Sequence, residues 1–353
     1  MGLPLPPVPT RIVAAPMAGG PSTVDLAAAV GDAGGLGFLA AGYRTAEQVT
    51  GDVTALRERS TAPFGVNVFA PLPERPEEAA RVPDWAQRWA PLAAELGVGL
   101  GEPRHTDDFF AAKVDALVRL APAVVSFAFG LPPADAVDRL HAAGTAVWIT
   151  VTSPQDVAGA AAAGADALVC QGWEAGAHRG GLSDEEPQLG LLPLLRLVRR
   201  ETGLPLVAAG GIADGAGVAA ALAAGASLAA LGTAFLRTPE AGTAPVHASA
   251  LAADTPTVVT RAFTGRPARA LVNEAVRELG DDGPAAYPEV HLLTAPVRAA
   301  ARAAGDAEHL HLWAGQAHAL AEELPAGELV RRLAADTRAA LQDALAAATS
   351  APA

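Results

Sequence analysis

The sequence predicts an α/β chain that folds as a (β/α)8 TIM barrel. Eight short apolar runs are bounded by glycine or proline, helical segments alternate with them, and glycine-rich or polar turns follow their carboxyl ends. Alternation of this kind is typical of a parallel sheet covered by helices. An open doubly wound sheet is disfavoured, because no Gly-x-Gly-x-x-Gly turn with an acidic partner beyond it follows the first run.

Length and charge narrow the class of protein. The chain has 353 residues, 51% of them hydrophobic, which is enough for one large core. A net charge of −13 argues against nucleic-acid and anionic-membrane partners, because phosphate repels such a surface. Cys170 is the only cysteine, so a reducing, cytoplasmic location is expected. No histidine spacing predicts a metal site, and His309-x-His311 is expected at the surface.

The strands are predicted from their apolar runs. They cover residues 11–15, 37–41, 63–69, 123–129, 146–151, 167–170, 205–209 and 227–231. Asn67 is a lone amide in the third strand, and a buried amide must bond either the backbone or a ligand.

The helices are predicted from periodicity and caps. Thr45 and Gln48 form a capping box, Ser153 and Asp214 are expected as N-caps, and Pro154 fits the first position of a helix. Predicted helices include 23–33, 107–120, 134–143, 191–198 and 329–348.

Two regions depart from the barrel repeat. Residues 72–106 are rich in Pro, Glu and Arg, and we expect an insertion after strand 3, with a helix near 78–96, that covers the barrel mouth. We therefore expect a barrel over 1–240, including this insertion, and a C-terminal helical extension over 241–353 that packs on it. Residues 260–274 carry several basic side chains and are expected to be a solvated surface patch, with packing against the mouth or a partner subunit as the alternative.

The segment after the sixth strand, 171–181, contains the strongest concentration of chemical groups. His178 follows a strand end among glycines, a solvated setting in which an imidazole titrates near neutrality, so we expect a functional role. Glu174 and Arg179 could equally form a local ion pair or contact substrate. Cys170 is expected in the core.

The turns after the seventh and eighth strands are candidates for binding phosphate. They contain Gly210-Gly211 and Gly232-Thr233, which offer bare backbone amides and one hydroxyl. In barrels these two turns often hold phosphate groups.

Taken in order, these motifs closely resemble the nitronate monooxygenase family. The resemblance spans nearly the whole chain and rests on residues 15–19, 65–69, 125–130, 171–180, 208–212, 232–233, 293–298 and 313–316.

The resemblance implies a flavoprotein that holds FMN noncovalently, with His178 as the catalytic residue. It implies a monooxygenase, an oxidoreductase that converts alkyl nitronates, with nitroalkanes as an alternative, and O2 to a carbonyl compound and nitrite. Homo-oligomer formation is left open. The residues expected to bind the cofactor are Pro16, Met17, Ala18, Asn67, Gln171, Gly176, Gly210, Gly211, Gly232 and Thr233.

The chain departs from the family pattern at two places. Ala177 stands where the family usually has glycine, and Ala230-Leu231 stands where it often has Gln-Met. Phe69, Phe129 and Trp173 are expected either to form a small apolar pocket or to lie in the core. Two alternative functions stay open: an FMN-dependent NAD(P)H oxidoreductase similar to enoyl-acyl-carrier-protein reductases, and a flavin-binding barrel without turnover.

Overall fold

The structure, a computed structural model that describes residues 2–183 and 187–349, is built on a closed barrel of eight parallel strands. The barrel closes where the Leu36 N–H donates to the Ile12 carbonyl at 2.9 Å and the Ala14 N–H donates to the Leu36 carbonyl at 3.0 Å. The predicted fold class is confirmed, and each predicted strand agrees with the observed one to within one residue at either end. The barrel strands are β1 (Ile12–Ala14), β2 (Gly37–Ala40), β3 (Phe64–Phe69), β4 (Val124–Ala128), β5 (Ala146–Val151), β6 (Ala167–Gln171), β8 (Leu206–Ala209) and β9 (Leu228–Leu231).

A second, antiparallel sheet was not predicted. Its strands lie in the order β10, β11, β7 and join the segment after β6 to the C-terminal region. They are β7 (Ala177–His178), β10 (Thr257–Thr260) and β11 (Ala268–Leu271).

Thirteen α-helices occur in the described part of the chain, and none is long and apolar enough to cross a bilayer. They are α1 (Val24–Asp32), α2 (Ala46–Arg59), α3 (Pro76–Ala79), α4 (Val82–Glu95), α5 (Phe110–Leu120), α6 (Ala134–Ala142), α7 (Asp156–Ala162), α8 (Leu191–Glu201), α9 (Gly215–Ala223), α10 (Pro245–Ala250), α11 (Glu274–Leu279), α12 (Glu289–Ala304) and α13 (Ala326–Thr349).

The predicted caps are mostly confirmed. Thr45 and Gln48 form the reciprocal capping box of α2, and the Asp214 carboxylate accepts from the Gly217 N–H at 2.8 Å. The predicted Ser153 cap and the predicted first helical position of Pro154 are both wrong, because α7 begins at Asp156. The Asp156 carboxylate instead accepts from the Ser153 N–H at 3.1 Å, so the preceding residues form a turn.

The period of two along each strand decides which residues reach the barrel interior. In β5, Val147, Ile149 and Val151 pack outward against the helices. Trp148 lies in the cluster inside the barrel, and it and Thr150 line the cavity at the strand ends.

The insertion forms a second core with the C-terminal extension. Trp85 and Trp89 of α4 pack with Phe263 and with α12, and the Trp85 ring nitrogen donates to the Ala262 carbonyl at 3.3 Å. Residues 72–106 do not line the barrel cavity, and their covering of its mouth stays a prediction. Helix α12 itself lines the barrel cavity, and the insertion packs against α12.

Helix α13 completes the ring of helices around the barrel. Only a short 3-10 turn, Thr233–Phe235, follows β9 directly. Helix α13 packs between α9 and α1, with Leu329, Val330 and Leu333 buried there. It therefore occupies the position in which a barrel helix after the eighth strand belongs.

Candidate active site

A cavity of about 610 Å³ opens at the carboxyl ends of the barrel strands. The structure brings every predicted site residue to its wall, so the imidazole and the glycine turns face one space. The predicted residues that line it are Pro16, Met17, Ala18, Asn67, Gln171, Gly176, His178, Gly210, Gly211, Gly232 and Thr233.

The two predicted amides have defined partners. Asn67 is buried in β3, and its amide nitrogen donates to the Ser126 hydroxyl at 2.9 Å. The Gln171 amide donates to the His178 carbonyl at 3.1 Å and accepts from the Gly180 N–H at 2.8 Å. Gln171 therefore fixes the backbone on both sides of the histidine.

His178 is positioned by the second sheet and surrounded by rings. It pairs with Ala268 of β11, and its Nε2 lies 2.9 Å from the Thr264 hydroxyl. Its ring centroid lies 5.7 Å from that of Phe129 and 5.4 Å from that of Trp313. The C-terminal extension therefore builds half of the wall around the imidazole.

The expectation that His178 titrates near neutrality in a solvated loop is wrong. Burial, and then the charges of Arg266 and Arg298, lower the pKa of His178 to about 3. The imidazole is therefore neutral at physiological pH.

Three further cavity histidines share this shift, which makes the fold sensitive to acid. Burial lowers the pKa of His247 to about 4, and it lowers the pKa values of His291 and His311 well below 6.5. Between these values and 6.5 the unfolded chain binds the protons first, so stability falls as pH falls. We expect the free energy of unfolding to drop below about pH 6.5 by roughly 1 kcal/mol per pH unit for each of these histidines, measured by urea denaturation. Equal stability at pH 6.5 and 4.5 would contradict this.

Glu174 and Arg179 support the loop and do not line the cavity. Both carboxylate oxygens of Glu174 lie 3.0 Å from the N–H of Leu191, the first residue of α8. Arg179 donates to the Gly172 carbonyl at 2.6 Å, and its guanidinium lies 5.2 Å from the Trp173 ring centroid. Trp173 lines a different cavity, so its predicted place in the apolar pocket is wrong.

Phe69 and Phe129 do line the predicted pocket, with their ring centroids 4.4 Å apart.

The expected solvated patch at 260–274 is also wrong, because its basic residues pack against the mouth. Arg266 and Arg269 are each 3% exposed. Arg266 lies 4.3 Å above the Phe129 ring centroid and donates to the Arg179 carbonyl, while Arg269 donates to the Trp173 carbonyl at 2.8 Å. Loop carbonyls satisfy these guanidinium groups, which allows their burial.

Several wall residues carried no signal that sequence reasoning could use. Tyr43 stacks on His291 at 4.1 Å between centroids, and its hydroxyl lies 3.0 Å from that of Tyr287. Arg298 of α12 donates to the His291 ring. His311, expected at the surface, lines the cavity instead.

Ala177 has a φ of +60°, in the left-handed region that favours glycine. An L-residue there costs roughly 1–2 kcal/mol, partly offset by the greater freedom of glycine in the unfolded chain. We expect Ala177→Gly to raise the free energy of unfolding by about 0.5–1 kcal/mol, measured by denaturant titration. Ala161→Gly, at an exposed position of α7, serves as the control and should lower it by about 1 kcal/mol. A lower free energy of unfolding in Ala177→Gly would contradict the proposal that the backbone is strained at Ala177.

Comparisons with known proteins agree along almost the whole chain. A family model described as nitronate monooxygenase matches residues 8–336. A nitronate monooxygenase of Paraburkholderia phytofirmans is 40% identical, over 96% of this chain and 95% of its own length. One from Pseudomonas aeruginosa is also 40% identical, over 93% of this chain and 96% of its own length.

Solved structures of similar proteins share the fold. Nitroalkane oxidase from Streptomyces ansochromogenes is 49% identical with a TM-score of 0.92, over 96% of this chain and 98% of that one. FabK from Thermotoga maritima is more distant, at 27% identity and a TM-score of 0.75, over 96% of this chain and 95% of that one.

Proposed function

We propose, from the premise that this chain belongs to the nitronate monooxygenase family, that its cavity holds FMN and binds alkyl nitronates as anions. As a member of this family the chain is a flavin-dependent monooxygenase for the oxidative conversion of nitronates or nitroalkanes. Its substrates are a small molecule and O2, and a carbonyl compound and nitrite are the expected products. The flavin supplies the electron-transfer chemistry, and the protein supplies binding and orientation.

The residues of the cavity fit FMN. A cavity of about 610 Å³ has room for the cofactor and a small substrate. Gly210 and Gly211 have φ of +102° and +71°, and α9 begins soon after them, at Gly215. The Gly232-Thr233 turn follows the neighbouring strand, β9, and lies beside them at the same end of the barrel. These turns would hold the phosphate, while Pro16, Met17 and Ala18 would flank the ring and the Asn67 and Gln171 amides would offer polar contacts.

The neutral state of His178, which lies within the electrostatic reach of two guanidinium groups, supports the choice of substrate. An imidazole whose pKa is about 3 is a weak base for removing the α-proton of a neutral nitroalkane. The charges of Arg266 and Arg298 favour an anion that has already lost this proton. We therefore assign to His178 the hydrogen bonding and orientation of the nitronate.

We propose that the site is shared between the two predicted regions. The barrel, 1–240, supplies the glycine turns and the histidine, and the extension, 241–353, supplies Thr264, Arg298 and Trp313. A cytoplasmic location stays a prediction.

The test is an assay of the purified protein with freshly prepared ethylnitronate and with nitroethane. The released flavin should be FMN by chromatography. Nitrite release and O2 consumption should occur with ethylnitronate in the absence of NADPH, and nitroethane should react only as fast as it ionises. If fresh nitroethane released nitrite as fast as ethylnitronate does, the assignment of the nitronate anion as the substrate would be overturned. Bleaching of the flavin by NADPH would favour the alternative of an NAD(P)H oxidoreductase. The absence of activity in both assays would favour the alternative of a flavin-binding barrel without turnover.

A further inference from the structure

Arg298 is a buried cation whose partners are all neutral among the described residues. It is 7% exposed on α12. Its Nε donates to the Thr294 hydroxyl at 3.0 Å, and its Nη2 donates to the His291 carbonyl at 2.7 Å and to His291 Nδ1 at 3.2 Å. A buried charge without a carboxylate is costly unless a ligand compensates it, which indicates an anion nearby.

This contact also fixes the protonation of His291. A guanidinium only donates and does not lose its proton near neutrality, so Nδ1 must accept. The ring proton of His291 therefore lies on Nε2. Burial and the charge of Arg298 also lower the pKa of His291 well below its usual value, so the ring stays a neutral donor.

The His291 ring lies on the same wall as His178. One face of the His291 ring stacks on Tyr43, and the Tyr287 ring centroid lies 6.1 Å from that of His291 and 5.7 Å from that of His178. Both histidines line the one cavity.

We propose that the Nε2–H of His291 is a second hydrogen-bond donor to the nitronate oxygens, held in its donor form by Arg298. This inference rests on the proposed function. A nitronate spreads its negative charge over two oxygens, both of which accept hydrogen bonds, and both histidines line the cavity in which it would bind. The guanidinium behind His291 adds positive charge, so the pair selects the anion over the neutral nitroalkane.

His291→Phe tests the donor, because phenylalanine keeps a ring stacked on Tyr43 and removes the N–H. We expect the KM for ethylnitronate to rise about tenfold, with kcat per bound flavin changed less than about twofold. His309→Phe, which makes the same change outside the cavity, should leave KM unchanged.

Arg298→Met supplies a signature that a structural role would not produce. Without the guanidinium, Nδ1 of His291 becomes free to take a proton, and the pKa of the ring rises, although burial, the larger cause of its low pKa, remains. As the pH is lowered, the KM for ethylnitronate should then begin to fall at a higher pH than in the unmodified protein, because the imidazolium binds the anion more tightly. In the unmodified protein KM should be flat from about pH 6 to 8.5, and in the double variant with His291→Phe the pH dependence should vanish.

The tyrosines and the other two histidines near His291 do not titrate in this range. Burial raises the pKa of Tyr43 to about 12 and that of Tyr287 well above 10, and it lowers those of His178 and His311. The charged or titratable groups that face this part of the wall are Tyr43, Asp108, His178, Arg266, Tyr287, Arg298, Arg302 and His311.

An unchanged KM in His291→Phe, or a KM profile in Arg298→Met that matches the profile of the unmodified protein down to about pH 5, overturns the inference. If His291→Phe does not retain flavin, the pH profile of Arg298→Met decides alone. Failure of the proposed function appears differently, because the unmodified protein would then release no nitrite from ethylnitronate.

Discussion

Replacing His178 by alanine is expected to lower kcat/KM for ethylnitronate by about 100-fold while flavin stays bound. The imidazole lies among the rings of Phe129, Tyr287 and Trp313. Thr264 and the pairing of β7 with β11 hold it in one orientation. Removing a preoriented hydrogen-bonding group costs this much because no water in the apolar pocket reproduces its direction. Steady-state nitrite release, normalised to flavin absorbance, measures the loss.

Two variants control this result. His178→Asn keeps an N–H donor on a shorter side chain and should recover part of the rate. Thr264→Val removes the hydroxyl 2.9 Å from Nε2 and should cost only about tenfold, since it changes orientation and leaves the imidazole present. A loss below about fivefold in His178→Ala would remove this residue from the substrate contacts.

Gly176→Ala is expected to weaken FMN binding at least tenfold and to lower the free energy of unfolding by about 1–3 kcal/mol. A methyl group there would lie 2.5 Å from the Gly315 nitrogen and 2.6 Å from the Ala314 carbonyl carbon. This backbone is held in place, because the Gly315 N–H donates to the Thr233 hydroxyl at 3.0 Å and the Gln316 N–H donates to the Glu174 carbonyl at 3.0 Å. A shift of residues 314–315 that relieves the clash would therefore displace Thr233, in the turn proposed to hold the phosphate.

Flavin fluorescence titration of the stripped protein measures the affinity, and thermal unfolding measures the stability. Gly51→Ala in α2 is the control, because no heavy atom lies within 4 Å of the added methyl group. It should raise stability by about 0.5–1 kcal/mol, since alanine is the better helix former. If Gly176→Ala bound FMN as tightly as the wild-type protein, the prediction would be wrong, because residues 314–315 would then move aside without disturbing the cofactor site.

The barrel could be predicted because its signals are local. Buried parallel strands appear as apolar runs, and the barrel places the residues that follow each run at one face. The glycine turns were predicted to be site residues for this reason, whereas Asn67 and Gln171 were predicted from the family resemblance, and the structure places all of them at one cavity.

The rest of the wall depends on contacts that are distant in sequence. His178 pairs with Ala268, 90 residues further along the chain, and no local pattern indicates this. The same holds for Arg266, because its burial follows from the carbonyls of the 179–181 loop. The environment of His178, and hence its pKa, could not be predicted without this cover.

The position of α13 means that the ring of helices around the barrel can close only at the end of chain synthesis. The ribosome synthesises the barrel strands and the histidine loop long before residues 326–349, which fill the gap between α1 and α9. Until those residues emerge, the apolar flanks of α1 and α9 lack their cover, as does the end of the barrel wall beside β1. The helical cover of the barrel is therefore completed only after residues 326–349 have left the ribosome, later than the strands and loops that line the cavity.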